Sequence, residues 1–443
     1  MGHRAPKSYA MLMVLPDAFR SGWRGATSRV LDVANGLSER GWRVSLLTAR
    51  KRRPSDHRAQ DSAFPGEVIR TPFTGAYPSW VEASERLSRM WRGLWLLRGQ
   101  EWYHRQFGLG WGLRVGPWAQ RNWAGPKPDL VWGIYIHNLS GIVGGQRLAE
   151  QFSCPLVIEL QDPPGSPGRA TLHEALRPHF HECLEKADRV ITVTRAYADY
   201  LTTEWGLPPA KVEAIYLSFP GEARPLSSRP VGDGFVLLHA GSLRTAPGRN
   251  ALSLVRALAL AFERNPGCRG GVRLRLLGGG VGADHAVALA RSLGIPEAVE
   301  ARPEVPHEQA LAEMDRSDVL VVIKHSEPRY DMQIPGKLFE YLGRGKPILG
   351  VMRETEAAEI LRRSGLGRVV GNDDVEAIAR HILEMWEARH DLGALFVPDL
   401  AYISGFSVAA MANKADQLAR EALAAHAERD RGTIRCNATD RAY

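Results

Sequence analysis

The sequence predicts an α/β chain built from two Rossmann-like domains, each a parallel sheet with helices on its faces. Three observations predict it. The chain has 443 residues, beyond the roughly 250–300 at which a single core stops growing. Short apolar runs alternate with helical patterns, the signature of strand–helix–strand units. The alternation breaks once, over residues 216–233, and then restarts.

In the first half, Met11–Leu15 reads as a strand, followed by a glycine-bearing turn, Ser21-Gly-Trp-Arg-Gly25. Ala26, Val30, Val33, Ala34 and Leu37 then lie on one face of a helix that Gly41 can stop. Further strands are expected at Val44–Leu47, Asp129–Trp132, Leu156–Leu160, Arg189–Val193 and Val212–Ile215. Residues 216–233 carry Pro220, Pro225 and Pro230 without any period and read as a linker. A second domain is expected over 234–404, with strands at Phe235–His239, Val272–Leu277, Val319–Ile323 and Pro347–Gly350. A closing helix from about Ser407 places Met411, Ala415, Leu418 and Ala422 on one face, and residues 405–443 are expected to pack back on the N-terminal domain, 1–215. Two such domains imply a cleft, with ligands at the carboxyl ends of the strands.

Composition excludes some classes. The 44% apolar and 24% charged fractions are those of a globular protein. Cys154, Cys183, Cys268 and Cys436 form no C-x-x-C pair, so a zinc site or disulfide framework is not expected and a reduced compartment is. The apolar run Tyr9–Leu15 is too short for a signal peptide, and no stretch reaches the roughly 18 apolar residues of a membrane span. The expected location is cytoplasmic. A net charge of +8 favours anionic partners; nucleic acid is not expected, because no binding motif is recognisable.

The richest segment is Gln333-Ile-Pro-Gly-Lys-Leu-Phe-Glu-Tyr-Leu-Gly-Arg-Gly-Lys-Pro-Ile-Leu-Gly350. Pro335 suits a helix start. The N–H groups at Gly336 and Lys337 then face an anion along the helix dipole, and Lys337 adds charge. Glu340, one turn on, can accept paired hydrogen bonds from ribose hydroxyls. The same spacing also suits an ordinary amphipathic helix with solvated Lys and Glu. Two other strand ends tip the balance toward a site. Leu274-Arg-Leu-Leu-Gly278-Gly-Gly runs a strand into glycines that let backbone approach a ligand. His239-Ala-Gly-Ser-Leu-Arg244, with Arg249 close behind, brings two guanidinium groups able to grip phosphate.

These residues resemble the donor-binding region of bacterial GT-B glycosyltransferases of the family-4 kind, whose P-x-K-x-x-E-Y-L-x-x-G-x-P-I-L pattern matches almost in full; the order of features is similar over nearly the whole chain. The resemblance implies a GT-B fold and sugar transfer from a nucleotide diphosphate sugar, a UDP-sugar as first choice. Retention of configuration and no metal or other cofactor are implied as well. It assigns the ribose to Glu340, the donor phosphates to Gly336 and Lys337, and the diphosphate to Arg244 and Arg249. The base goes to the backbone of Glu304-Val305-Pro-His307. Gly25 and its loop would approach the diphosphate from the N-terminal side. Many members carry an E-x7-E pair whose first glutamate falls on Met332 here, leaving Asp331, or Glu327, to contact the sugar. The chain also lacks any D-x-D, consistent with fixed positive charge in place of a cation.

On the acceptor side, Asp162 follows a strand and can orient or deprotonate a hydroxyl, or simply turn the chain before Pro163 and Pro164. His137 is a second catalytic candidate. Trp80, Trp91, Trp95, Trp102, Trp111, Trp118 and Trp123 interleave with arginines. Part of this insertion, about 80–125, has helical spacing. It suits either an enlarged core or an interfacial helix on an anionic membrane surface. The second option implies a peripheral protein with a lipid-linked acceptor, as in envelope polysaccharide assembly. Rival readings are a GT-B nucleotide-sugar epimerase and a catalytically silent binding or scaffold protein.

Overall fold

The computed structural model describes residues 8–16, 24–49, 61–73, 100–136, 139–163, 174–227, 234–243 and 250–439, with the side chains of 24–27, 100–108, 175 and 430–439 outside the description. The chain divides into two compact units, Met1–Tyr216 with Met411–Tyr443, and Leu217–Ala410.

The first unit runs β1 (Ala10–Val14), α1 (Arg24–Glu39), β2 (Arg43–Ala49), β3 (Val68–Thr71), α2 (Gln100–Asn122), β4 (Leu130–Tyr135), α3 (Ser140–Phe152), β5 (Leu156–Leu160), α4 (Arg177–Lys186), β6 (Arg189–Thr192), α5 (Arg195–Glu204) and β7 (Val212–Ala214). Its strands form one parallel sheet in the order β3-β2-β1-β4-β5-β6-β7. The central strands β1, β4 and β5 are buried along their whole length, as expected where both faces are covered. Helix α1 buries Val30, Val33, Ala34 and Leu37, and Gly41 follows it with φ +88°, a conformation that suits glycine.

The second unit contains β8 (Phe235–Ala240), α6 (Leu252–Arg264), β9 (Val272–Leu277), α7 (Val281–Ser292), β10 (Val299–Arg302), α8 (His307–Asp315), β11 (Val319–Ile323), α9 (Gly336–Gly343), β12 (Ile348–Val351), α10 (Glu356–Arg363), β13 (Gly367–Val370), α11 (Val375–Glu387) and α12 (Leu400–Ser404). The parallel sheet order is β10-β9-β8-β11-β12-β13. This is a doubly wound order whose direction of progression reverses between β8 and β11, the place where such sheets open a ligand crevice. Each sheet is the parallel, helix-covered α/β layer that the sequence predicts.

Residues 217–227, within the stretch read as linker, lie on the second unit. Phe219 N–H donates to Phe406 and its carbonyl accepts from Val408 N–H. Its ring fills the space a side chain at Gly343 would need. The stretch lacks periodicity because it is extended chain laid over a surface. The last helix, α13 (Val408–Thr439), joins the first unit from Met411 onward. There Ala412 meets α1 at Gly36, where an added Cβ would come within 2.3 Å, and Asp416 accepts from Trp42 Nε1 at 2.6 Å.

Three strands, β3, β10 and β13, were not expected from sequence. Each has four residues and stands at the edge of its sheet.

Candidate functional site

The carboxyl ends of β8, β9 and β11 and the start of α9 bring most of the described donor-side candidates to the switch point of the second sheet. Helix α9 begins at Gly336 with Pro335 in the capping position, and no side chain caps it. Leu338 N–H is taken by the Pro335 carbonyl. Gly336 is exposed. A Cβ there would meet nothing closer than Leu217 Cδ1 at 3.4 Å, so packing does not require the glycine, whereas close approach of a ligand to the backbone would. Leu338, Phe339, Tyr341 and Leu342 face inward and leave Glu340 on the open side.

Glu340 is half-buried, and its Oε1 lies 3.2 Å from His307 Nε2. Burial pushes its carboxyl above the usual range; His307, Arg344 and Lys337 act in the opposite direction. His307 opens α8, two residues after the half-buried Val305, so the stretch expected to read the base reaches the ribose candidate through a side chain.

Lys337 differs from the sequence reading, which gave its charge to a donor phosphate. Its ammonium donates to the Ala240 carbonyl at 2.6 Å and stands 3.5 Å from His239 Nε2. His239 is fully buried, and its Nδ1 lies 2.9 Å from the Val321 carbonyl. A carbonyl can only accept, so Nδ1 carries a proton, and in the neutral ring Nε2 is left as an acceptor toward Lys337. Lys337 is thus a tether from α9 to β8 whose charge stays at the helix start.

The glycines after β9 also have a different role from the one expected. Gly278 has φ +128°, and a Cβ on it would come within 2.7 Å of Gly241 C and 2.9 Å of Ser242 N. Leu243 N–H donates to Gly279 O, and Gly282 N–H to Leu243 O. The glycine run therefore lets two strand-end loops pack backbone to backbone. Arg244 and Arg249 lie outside the described residues.

Asp331, the sugar-contacting candidate, is held by cations of its own chain. Its Oδ1 is 3.4 Å from Arg353 Nε and 3.9 Å from Lys324 Nζ. Sequence reasoning overlooked Lys324. The available signal was a lysine directly after the buried run Val319-Leu-Val-Val-Ile323, a position where a charge needs a partner.

In the first unit, Asp162 follows β5 and its carbonyl accepts from Tyr197 OH at 3.3 Å; His137 lies outside the described residues. Gly25 falls within the first turn of α1, which starts at Arg24, rather than in the turn expected. A buried network went unread: Glu159 accepts from Arg29 Nε at 2.6 Å, Trp132 Nε1 at 2.9 Å and Gln161 Nε2 at 2.9 Å. Arg29 also donates to the carbonyls of Ile215 and Tyr216. Of the tryptophans, Trp111 is buried and donates to Thr71 Oγ1, Trp118 meets Phe73 edge-on, and Trp123 packs on Phe152. Trp80, Trp91 and Trp95 lie outside the described residues, as does the side chain of Trp102. No described helix is long and apolar enough to cross a membrane. A cavity of about 640 Å³ in this unit sits at the opposite, amino-terminal ends of β5 and β6. Its charges pair with one another, Lys186 with Glu150 and Arg429 with Asp188.

Two parallel α/β units, one with an uncapped helix start and a carboxylate at its switch point, are the class of fold found in two-domain glycosyltransferases. The chain belongs to the family-4-like GT-B glycosyltransferases: residues 24–217 match the glycosyl transferase 4-like domain and residues 234–388 the glycosyl transferases group 1 domain. It is similar to the D-inositol 3-phosphate glycosyltransferase of Acidothermus cellulolyticus, at 30% identity over 227 residues, 44% of this chain and 48% of that protein. The chain thus spans about half the length of the curated relatives it matches. Among solved structures, a glycosyltransferase from Rickettsia africae superimposes with a TM-score of 0.63 at 14% identity, over 94% of this chain and 99% of that one. Anabaena HepE in complex with UDP-glucose gives 0.60 at 17%, over 93% and 99%. Both structural likenesses show the fold.

Proposed function

We propose that this chain moves a sugar from a nucleotide diphosphate sugar, a UDP-sugar first, to an acceptor hydroxyl, with retention of configuration and without a metal. The observation that carries the donor half is the start of α9. An uncrowded glycine at an uncapped helix end stands one turn from a half-buried carboxylate, so phosphate and ribose each have a matching group. The family membership supports transfer as the chemistry, and the relative crystallised with UDP-glucose supports the donor class. Lys337, with Arg244 and Arg249, would balance the charge of the departing diphosphate, the work a cation does elsewhere. Asp162 and His137 are the candidates to orient the acceptor hydroxyl. A lipid-linked acceptor, a role in envelope polysaccharide assembly and contact with an anionic membrane from the cytoplasmic side are the readings of the tryptophan–arginine segment. Co-sedimentation with anionic liposomes at low salt tests the membrane part.

The deciding experiment is calorimetric titration with UDP and a panel of nucleotide sugars, followed by analysis of the products. Binding of at least one donor, with release of free nucleotide diphosphate, is expected. Absence of binding across the panel overturns the donor site; recovery of an epimerised donor with no free nucleotide overturns transfer.

A further inference from the structure

Lys324 is the first residue beyond β11, next to the switch point, and only 3% of its side chain is exposed. Its backbone is fixed on both sides: its N–H donates to Val351 O at 3.0 Å and its carbonyl accepts from Asn372 Nδ2 at 2.6 Å. The ammonium donates to the backbone carbonyl of Asp331 at 3.3 Å and more weakly, at 3.5 Å, to Thr355 Oγ1. The Asp331 carboxylate is turned toward the same place. Its Oδ1 is buried without a hydrogen bond, beside the Lys324 and Arg353 charges.

The chain from Ser326 to Gln333 returns over this lysine as a tight turn. Tyr330, Asp331 and Gln333 donate to Glu327 O, Pro328 O and Tyr330 O, and Tyr330 stacks on His325 with centroids 3.7 Å apart. Three residues after Gln333, α9 begins. Lys324 therefore joins the end of β11 to the middle of the turn that delivers the chain to the proposed donor site.

A lysine is an expensive choice for such a tie. Burial lowers its proton affinity to about 8; Asp331 and Glu356 oppose the shift, and Arg353 adds to it. An apolar side chain would hold a turn without that cost. What the lysine supplies is a donor to the Asp331 carbonyl together with a charge facing the Asp331 carboxylate.

We infer that Lys324 is a positioning residue that holds the Asp331 turn in the arrangement that receives the sugar end of the donor. The inference rests on the donor reading proposed above. It makes the sugar's share of binding depend on the charge of Lys324, while the nucleotide's share, assigned to Gly336 and Glu340, does not.

The test compares UDP with UDP-glucose, or whichever nucleotide sugar binds, by calorimetry between pH 7 and 9.5, in wild type, Lys324→Arg and Lys324→Met. The affinity gained from the sugar should fall by roughly tenfold as wild type passes through pH 8, as expected when a charge-assisted contact is lost. Lys324→Arg should keep the gain to pH 9.5, and Lys324→Met should lack it throughout, with UDP affinity equal in all three. An unchanged sugar gain in Lys324→Met, or the same alkaline fall in Lys324→Arg, overturns the inference. Amide exchange of the ligand-free protein decides the hold separately. Protection of Asp331 and Gln333 should drop in Lys324→Met, and unaltered protection refutes it. If no nucleotide sugar binds, the donor reading fails, and the exchange result still stands or falls alone.

Discussion

Lys337 and His239 meet with 3.5 Å between Nζ and Nε2, and this contact fixes the start of α9 to the end of β8. The lysine that the sequence assigns to phosphate also ties the protein together, beside a buried histidine held in one tautomer by Val321. Replacing His239 by Phe removes the acceptor and leaves the Val321 carbonyl without its donor. Folding stability should fall by about 1–3 kcal/mol, read from urea midpoints. An unshifted midpoint would show that the pair carries no stability.

Glu340→Ala should weaken nucleotide diphosphate binding by roughly ten- to a hundredfold, the range for loss of hydrogen bonds to a charged group. Calorimetry with UDP measures it, and unchanged affinity removes the ribose role.

Two glycines on one site should respond oppositely to the same change. Gly278→Ala forces a Cβ into the backbone of Gly241 and Ser242 at a φ of +128° and should cost on the order of 2–4 kcal/mol of stability. Gly336→Ala should fold with nearly wild-type stability, because only Leu217 stands nearby at 3.4 Å. It should bind nucleotide diphosphate more weakly. Thermal melts and UDP titrations of both variants separate a packing glycine from a ligand-facing one; equal melting temperatures would contradict the distinction.

Arg29 and Glu159 are both nearly inaccessible to solvent. Removing either partner strands the other charge, at a cost of about 3–5 kcal/mol. The double change Arg29→Met with Glu159→Leu should cost less than the sum of the singles. It should still fall short of wild type, because Trp132 Nε1 and the carbonyls of Ile215 and Tyr216 lose partners. A double-mutant cycle in urea gives the coupling, and strict additivity would argue against a shared network.

The lysine after β11 also leaves a mark on the pH dependence of folding. Its proton affinity is depressed from 10.5 to about 8 in the folded chain, so the unfolded chain binds more protons between those values. This group's burial cost is therefore full below pH 8 and is relieved as pH rises toward 10.5. Wild-type stability should gain across that window by an amount that Lys324→Met, which has no group to titrate there, does not show. Parallel stability curves for the two proteins would exclude the effect.

The sequence made the inner strands legible through their apolar runs, unbroken in Val319–Ile323, interrupted by Glu159 in Leu156–Leu160 and alternating with arginine in Val272–Leu277; all three agree with the structure residue for residue. Three of the four sheet edges were not legible; only β7 was expected. Val68-Ile-Arg-Thr, Val299-Glu-Ala-Arg and Gly367-Arg-Val-Val are short and mix charge with apolar residues, which is also how a loop reads. At the candidate site, the local pattern around Gly336 and Glu340 could be read because helix-end chemistry is set by neighbours in sequence. The partners of Lys337, Asp331, Gly278 and Glu159 could not. Each lies on another strand or loop, brought near only by the parallel crossovers.

The same edge strands have a consequence for how copies of this chain treat one another. A parallel sheet ends in unpaired N–H and C=O groups, an invitation to continue the sheet into a neighbour. Here the rims carry Arg70 clasped by Asp61 on one sheet, and Glu300 between Arg275 and Arg302 on the other. Short edge strands that carry charge make a poor template for a further strand. The charges that hid these strands from a reading of the sequence are of the kind that discourages edge-to-edge pairing between copies of a chain.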